Sequence, residues 1–145
     1  MTDEREPFAL MRVVGAYGGG VVLELEDSYA PGVPSVEGQL SVHSDFVAGV
    51  LDTNVLPEDL PGWAWVLDEV AAGRDAVWRE FSRAPSVGIR LEWREDDHDG
   101  ITVTVADQQT TRVSVTLHME RSWIDEQRAL LDRLRAAWAH LLPKD

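Results

Sequence analysis

Three consecutive segments in the second half of the chain alternate apolar and polar residues with a period of two. Segments 87–93, 101–105 and 113–119 each carry a large apolar residue at every odd position, with a polar, charged or glycine residue between. This alternation is typical of strands with one buried and one solvated face. Because short connections join the segments, we expect antiparallel pairing. The chain must therefore build a sheet that is covered on one face.

The first half of the chain predicts three further strands. Residues 8–17 and 21–26 form a hairpin, because Gly18-Gly19-Gly20 between them supplies the positive φ angles that a tight turn needs. Residues 29–34 form a loop, since the two prolines cannot donate to a ladder. The third strand follows at residues 40–45.

Two segments show the 3.6-residue spacing of apolar positions that predicts amphipathic helices. The first extends from Asp59, which can cap it, to Gly73, which suits the position after a helix end. The second begins at Ser122, a capping residue with Asp125 three positions on. The apolar stripe of this second helix consists of Ile124, Gln127, Leu131, Leu134, Trp138 and Leu142.

The predicted order of elements is β-β-β-α-β-β-β-β-α in a single domain, residues 1–145, with no internal repeat. Residues 75–81 supply the weakest of the seven strands. Short connections between consecutive strands, with two helices among them, are typical of an α+β fold. We therefore predict a mostly antiparallel sheet of about seven strands with two helices packed on one face.

The acidic composition excludes several classes of function. The chain has 26 acidic and 13 basic residues, a formal net charge of −13, whereas nucleic-acid binding needs a basic surface. It has no cysteine, which excludes thiol catalysis, disulfides and Cys-ligated zinc. No apolar run approaches the ~20 residues of a membrane span, and the first residues do not resemble a signal peptide. We expect a cytoplasmic protein that binds neither nucleic acid nor membrane.

The acidic segment 95–100 is one of two candidate metal sites. Its acids at alternate positions followed by glycine resemble the start of a calcium loop. Position twelve of that register is Ala106 rather than a bidentate glutamate, and predicted strands rather than helices flank the segment. The favoured interpretation is a solvated hairpin turn over 97–100, which ends in the Asp-Gly pair common in such turns.

The second candidate combines His43 and Asp45 on the polar face of one strand with His118 on the polar face of another. These side chains suit a facial metal site only if their strands are neighbours, which nothing in the sequence indicates. We therefore predict no metal site and no cofactor. Nucleophile-elbow, Walker and dinucleotide-binding motifs are also absent, so an enzyme is not excluded but a non-catalytic role is favoured.

The tryptophans divide into core and surface candidates. Trp63 and Trp138 lie on the helix stripes, and Trp93 is in phase with the apolar strand positions, so we predict that all three pack in the core. Trp65 differs, because helical geometry places it nearly opposite the apolar stripe of the first helix.

The side of the first helix that carries Trp65 also carries Glu58 and Glu69. A large aromatic residue on a polar face is often an anchor for a binding partner. The alternative is that Trp65 packs beneath a loop such as residues 31–34. On the first interpretation, all three side chains are candidate partner-binding residues.

Between Phe46 and Trp138 the chain carries a set of short motifs. They are Phe46-Val47, Leu56-Pro57-Glu58-Asp59-Leu60, Trp63, Leu67-Asp68, Gly73, Trp78, Val103-Thr104-Val105, Asp107, Ser114-Val115, Trp123-Ile124-Asp125-Glu126-Gln127-Arg128 and Arg135-Ala136-Ala137-Trp138. This pattern is similar to that of a family of small actinobacterial proteins catalogued as a domain of unknown function. The resemblance implies an actinobacterial source and a shared fold, and it carries over no catalytic residue.

These features predict a non-catalytic interaction protein. Small size, strong negative charge and the missing catalytic motifs fit an immunity-like or inhibitor protein that masks a partner with a basic surface, since complementary charge speeds association. The alternative is a small enzyme or small-molecule-binding module with a pocket between helices and sheet. The sequence does not indicate the oligomeric state.

Overall fold

Eight strands and two α-helices follow one another as ββββα-ββββα in the computed structural model, which describes residues 8–26 and 35–139. The first half contains β1 (Phe8–Val14), β2 (Gly20–Leu25), β3 (Val36–His43), β4 (Ala48–Val55), a 3₁₀ turn (Pro57–Asp59) and α1 (Leu60–Ala71). The second half contains β5 (Ala76–Trp78), β6 (Ser86–Glu95), β7 (His98–Ala106), β8 (Arg112–Glu120) and α2 (Trp123–Ala137). The order of elements therefore repeats once, which the sequence did not indicate.

The strands form two antiparallel four-stranded sheets, in the orders β1-β2-β3-β4 and β5-β6-β7-β8. This confirms the α+β class and the antiparallel pairing. It corrects the single sheet of about seven strands, because the described residues contain two separate sheets and eight strands. Periodicity indicates which face of a strand is buried but not which strands pair, so the break between the sheets leaves no mark in the alternation.

β4 is the strand that the sequence pattern missed. It pairs with β3 along its full length, yet Gly49, Asp52 and Asn54 are poor strand formers. Its first three residues are exposed whichever way their side chains point, so the expected alternation is lost. Neither composition nor period could reveal this strand.

Each helix packs on the sheet of the other half of the chain. α1 follows the first sheet but contacts β5 and β6, whereas α2 follows the second sheet but contacts β1. The two helices also contact each other. This exchange corrects the prediction that both helices cover the same face of one sheet.

One hydrophobic cluster joins buried side chains of both sheets and both helices. Trp63 and Trp138 belong to it, as predicted, and so does most of the apolar stripe of α2. Because the helices are exchanged, each half of the chain supplies cover for the apolar face of the other half. The two halves therefore share a core.

The helix ends agree with the predictions in part. α1 is followed by Gly73 in the expected left-handed conformation, with φ of +88°. Ser122 occupies the N-cap of α2, but its side chain makes no capping hydrogen bond. Leu142 lies outside the described residues. Within the described residues, neither helix is long and apolar enough to span a bilayer.

A β-bulge in β6 changes the face of the sheet on which the following side chains lie. The pairing with β7 shifts between Leu91 and Trp93, which leaves Glu92 as the extra residue. Trp93 therefore lies over Gly100 on the outer face and is 38% exposed. The prediction that Trp93 packs in the core is wrong, because one inserted residue changes which face the side chain occupies.

The turn between β6 and β7 lies earlier than the sequence predicted. It consists of Asp96 and Asp97, and Asp96 adopts a φ of +37°. Asp99 and Gly100 belong to β7, so the predicted turn over 97–100 is wrong. The Asp99 side chain is fully buried rather than solvated.

Candidate functional site

The outer face of the second sheet forms the floor of an open groove of about 1030 Å³. The strand alternation that buries the apolar residues against the core points small and hydroxyl-bearing residues into this groove. The floor residues are Gly88, Thr102, Thr104, Ala106, Ser114 and Thr116. Because none of them is large, space remains above the sheet.

Paired hydroxyl groups make the floor polar. Thr102 and Thr116 lie opposite each other on β7 and β8, with 3.1 Å between their Oγ1 atoms. The Oγ1 of Thr104 lies 2.7 Å from the Oγ of Ser114 in the same way. These cross-strand hydrogen bonds leave oxygen lone pairs available to a bound molecule.

Two large aromatic side chains stand on the walls of the groove. Trp65 comes from α1 and is 52% exposed, and Phe81 comes from the connection between β5 and β6 and is 97% exposed. Apolar side chains of this size are costly to expose, so their presence on one concave surface is typical of a docking site.

The connection that carries Phe81 is anchored by Arg79. The Nε of Arg79 donates to the carbonyl of Pro85 at 3.0 Å, which closes the connection. Its Nη1 and Nη2 donate to the carbonyl of Asn54 at 2.9 Å and to the Oγ1 of Thr53 at 3.1 Å. Phe81 is therefore exposed on a segment that is tied at both ends.

Arg79 is itself in an unusual environment. Its side chain is only 3% exposed, and its guanidinium lies 4.1 Å from the ring centroid of Trp78. Burial lowers the pKa of Arg79 to about 10, against the opposing effect of the Asp59 carboxylate, and leaves the group charged at neutral pH. Its backbone adopts a φ of +59°, a conformation that non-glycine residues rarely hold without support from their surroundings.

Charged residues of both signs line the groove. Arg90 and Arg112 contribute two guanidiniums, and Asp75 and Glu80 contribute two carboxylates. The Nε of Arg90 donates to Glu92 at 2.7 Å, so this arginine is already paired. The groove itself has balanced charge, unlike the chain as a whole.

The structure separates the three partner-binding residues proposed from the sequence. Trp65 lines the groove, but Glu58 and Glu69 do not. Glu58 is exposed in the 3₁₀ turn, and Glu69 is partly buried and accepts a hydrogen bond from Nε of Arg74 at 2.9 Å. Residues 31–34, the loop proposed to cover Trp65, lie outside the described residues.

Sequence reasoning missed Phe81 as a surface residue. The strand predicted over residues 75–81 ends at Phe81, whereas β5 ends at Trp78. The signal was the segment that follows it, Ser82-Arg83-Ala84-Pro85, whose polar residues and proline are typical of a loop.

No three histidine, aspartate or glutamate side chains lie close enough to hold a metal ion among residues 8–26 and 35–139. Of the candidates from the sequence, Asp45 of the β3–β4 turn and His118 of β8 line the same small cavity, whereas His43 of β3 does not line it. The His118 ring instead packs against Trp93 and Tyr17, at centroid distances of 5.0 and 5.8 Å.

Residues 8–139 match a protein family of unknown function, DUF5959. The chain belongs to this family. The match confirms the resemblance to a family of unknown function and includes all of the residues that the structure describes. None of the curated proteins and none of the solved structures matches the chain.

Proposed function

We propose that this protein is an interaction protein that binds a partner with a basic surface in the groove of the second sheet. The observation that carries the proposal is the placement of Trp65 and Phe81, two exposed aromatic side chains, on the walls of the same concave surface. An immunity-like or inhibitor role, in which binding masks the partner, is the form of this function that a small acidic protein without catalytic motifs fits best.

Aromatic side chains supply much of the binding energy at protein interfaces. They bury large apolar areas and lose few rotatable bonds when they dock. Phe81 is held on an anchored segment and Trp65 on a helix, so little ordering is needed on binding. The polar floor between them can orient the partner through hydrogen bonds.

The charge of the chain has a different role from the charge of the groove. A net charge of −13 attracts a basic partner over distances of about a Debye length, roughly 8 Å at physiological salt. Within the groove, two carboxylates and two guanidiniums favour a partner surface that also carries both signs. The net charge thus raises the association rate, and the groove determines specificity.

Site-specific photo-crosslinking in the source organism tests this proposal. A photoreactive phenylalanine analogue at position 81 should trap the partner in the groove. The same analogue at Tyr17, which is 85% exposed but does not line the groove, is the matched control. A single basic protein crosslinked from position 81 and not from position 17 supports the proposal, and equal crosslinking from both positions contradicts it.

The partner found in this way allows a kinetic test. Trp65→Ala and Phe81→Ala should each weaken binding by about 10-fold or more, mainly through faster dissociation, while Tyr17→Ala leaves the affinity unchanged. The association rate should fall steeply as salt rises from low to physiological concentration. Because Trp65 is half exposed, Trp65→Ala should keep the fold and the melting temperature. Unchanged affinity in both aromatic variants would exclude the groove as the binding site.

A small enzyme or ligand-binding module is the second candidate function. The observation that favours it is the set of paired hydroxyls beside Arg112, which suits a polar, anionic small molecule. A co-purifying compound, whose binding is lost in Arg112→Ala and retained in Phe81→Ala, would support this function over the first. The cytoplasmic location and actinobacterial source predicted from the sequence belong to the same proposal.

A further inference from the structure

The edges of the two sheets are protected in different ways. The side-chain amide of Gln127 caps β1: its Oε1 accepts from the N–H of Arg12 at 2.7 Å and its Nε2 donates to the Arg12 carbonyl at 2.9 Å. On β8, the carbonyl of His118 accepts from the N–H of Ala16 at 2.9 Å. β5 is only three residues long. The hydrogen bonds on β1 and β8 each cover part of an edge, and the exposed side chains along the rest of β8, those of Arg112, Ser114 and Thr116, are charged or polar, which disfavours pairing with other chains.

The backbone of β4 can be oriented from two hydrogen bonds. The carbonyl of Glu37 on β3 accepts from the N–H of Glu26, so the polar groups of Glu37 point toward β2. Asn54 lies opposite Glu37, and its carbonyl accepts from Arg79 on the other side of the sheet edge. The backbone groups of Asn54 therefore point away from β3.

The N–H and C=O groups of successive residues point to opposite sides of a strand. Those of Ala48, Val50 and Asp52 therefore lie on the same free side as those of Asn54. Arg79 occupies the edge at Asn54. In the part of the chain that the structure describes, no hydrogen bond fills the free side of Ala48, Val50 or Asp52. The open edge is thus the stretch from Ala48 to Asp52.

This stretch carries a single charged side chain, that of Asp52 at its end, and so has little of the charge that usually protects an edge strand. Residues 46–51 form the sequence Phe-Val-Ala-Gly-Val-Leu, with no charged or polar side chain. Phe46 at the hairpin tip is 94% exposed, and Val50 in the middle of the open edge is 60% exposed. An edge with free backbone groups and exposed apolar side chains is a template for a second strand.

We propose that a second copy of this chain pairs antiparallel with β4 along Ala48–Asp52, so that two first sheets join into one continuous eight-stranded sheet. A two-fold axis at Val50 places Val50 opposite its symmetry mate and Ala48 opposite Asp52. In this register the free backbone groups of Val50 exchange hydrogen bonds with those of its symmetry mate, and those of Ala48 exchange hydrogen bonds with those of Asp52. The two Val50 side chains form an apolar cross-strand pair. The strand is therefore complementary to itself, as an isologous interface requires.

The acidic charge of the chain does not prevent this pairing. No two like charges lie opposite each other in the register, since Asp52 faces Ala48. The two Asp52 residues lie four positions apart along the paired strands, or about 14 Å at 3.4 Å per residue. That separation exceeds the Debye length of about 8 Å at physiological salt, so their repulsion is largely screened.

Sedimentation of the full chain over a range of concentrations tests the proposal. The wild-type protein should dimerise reversibly, and Val50→Lys and Val50→Glu should each raise the dimer Kd by about 10-fold or more, because each places two like charges opposite each other. An equimolar mixture of the two variants should recover dimers. Gln39→Lys, on the same face of the sheet but in the inner strand β3, should dimerise like the wild type.

A cysteine crosslink supplies a second measurement, which also detects a weak dimer because the covalent bond traps it. The chain has no cysteine, so Val50→Cys introduces a single thiol, and a directly opposed pair about 5.5 Å apart between Cα atoms lies within disulfide range. Val50→Cys should form a covalent dimer on mild oxidation, and Gln39→Cys should not. A wild-type protein that stays monomeric, or a Val50→Lys variant that dimerises like the wild type, would overturn the proposal.

Discussion

The guanidinium of Arg94 donates two hydrogen bonds to the buried carboxylate of Asp99, from Nε to Oδ1 at 2.8 Å and from Nη2 to Oδ2 at 3.2 Å. It also donates to the carbonyls of Val70 and Ala71 at the end of α1, both at 3.1 Å. Trp123, the first residue of α2, donates from Nε1 to Oδ2 of Asp99 at 3.2 Å. One ion pair therefore connects the β6–β7 hairpin to the end of one helix and the start of the other.

Asp99→Asn should strongly destabilise the protein, because it removes the charge that compensates Arg94 in a site where Asp99 is fully buried. Removing one partner of a buried, hydrogen-bonded ion pair typically costs about 3 kcal/mol in the free energy of unfolding. Asp97→Asn, in the exposed turn of the same hairpin, is the control and should change it by less than about 0.5 kcal/mol. Urea denaturation of both variants measures the difference. Equal stability would show that the ion pair is not structural.

The same carboxylate predicts a dependence of stability on pH. Burial alone would raise the pKa of Asp99, but hydrogen bonds from Arg94 and Trp123 and the charges of Arg94 and Arg121 outweigh it and hold the pKa below its ordinary value. In the unfolded chain the pKa returns to about 3.9. The stabilisation is therefore complete above about pH 5 and is lost as the pH falls through the folded pKa.

Acid denaturation series of the wild type and of Asp99→Asn separate this effect from the other carboxylates. The free energy of unfolding of the wild type should fall more steeply below about pH 4 than that of the variant, which lacks the titrating group. Parallel curves would assign the acid sensitivity to other residues.

The neighbourhood of Asp99 shows what the sequence could and could not predict. Alternation correctly indicated the buried face of residues 87–91 and 101–105. It failed after the bulge at Glu92, because one inserted residue reverses the facing of Trp93 and Arg94 without changing the composition of the segment. The Arg94–Asp99 pair depends on that reversal, so it could not be found from spacing.

The candidate site was predictable only where local geometry suffices. Helical spacing placed Trp65 off the apolar stripe, and its side chain is half exposed. The groove beside it needs the pairing of four strands and the conformation of the β5–β6 connection, which depend on contacts between distant residues such as Arg79 and Asn54. Such contacts between distant residues leave no periodic pattern in the sequence.

The cap that Gln127 provides on β1 predicts a measurable loss of stability. Gln127→Leu keeps the approximate size of the side chain but leaves the N–H and C=O of Arg12 without partners, at a cost of about 1–3 kcal/mol. Gln127→Glu should also destabilise the fold at neutral pH, because its buried carboxylate can accept from the Arg12 N–H but has no donor for the Arg12 carbonyl. Glu126→Gln, at the exposed position that precedes Gln127 in α2, should leave the midpoint of urea denaturation unchanged. If Glu126→Gln lowers the midpoint as much as Gln127→Leu does, the hydrogen bonds of Gln127 to Arg12 do not account for the loss of stability.

The contact between Trp93 and Gly100 predicts a local change rather than global unfolding. A Cβ atom at position 100 would overlap the indole of Trp93, so Gly100→Ala must displace that ring. Since Trp93 is 38% exposed, the ring can move outward at modest cost. We expect altered near-ultraviolet circular dichroism with a retained cooperative transition. Gly88→Ala, whose Cβ would meet its nearest neighbour at an ordinary 3.4 Å, should leave the spectrum unchanged.

Two adjacent residues of β7 lie on opposite faces of the sheet, one in the core and the other in the groove. Val103 is fully buried on the inner face, whereas Thr104 is partly exposed on the groove floor, where its hydroxyl pairs with Ser114. Val103→Asp places a charge in the core at a cost of several kcal/mol, roughly the whole stability of a small domain, and should abolish cooperative unfolding. Thr104→Asp should fold, lose one exposed hydrogen bond, and carry its new charge into the groove. Thermal denaturation distinguishes the two variants. If Thr104→Asp binds a groove partner as tightly as the wild type, that partner does not reach the floor, and contact is limited to the walls.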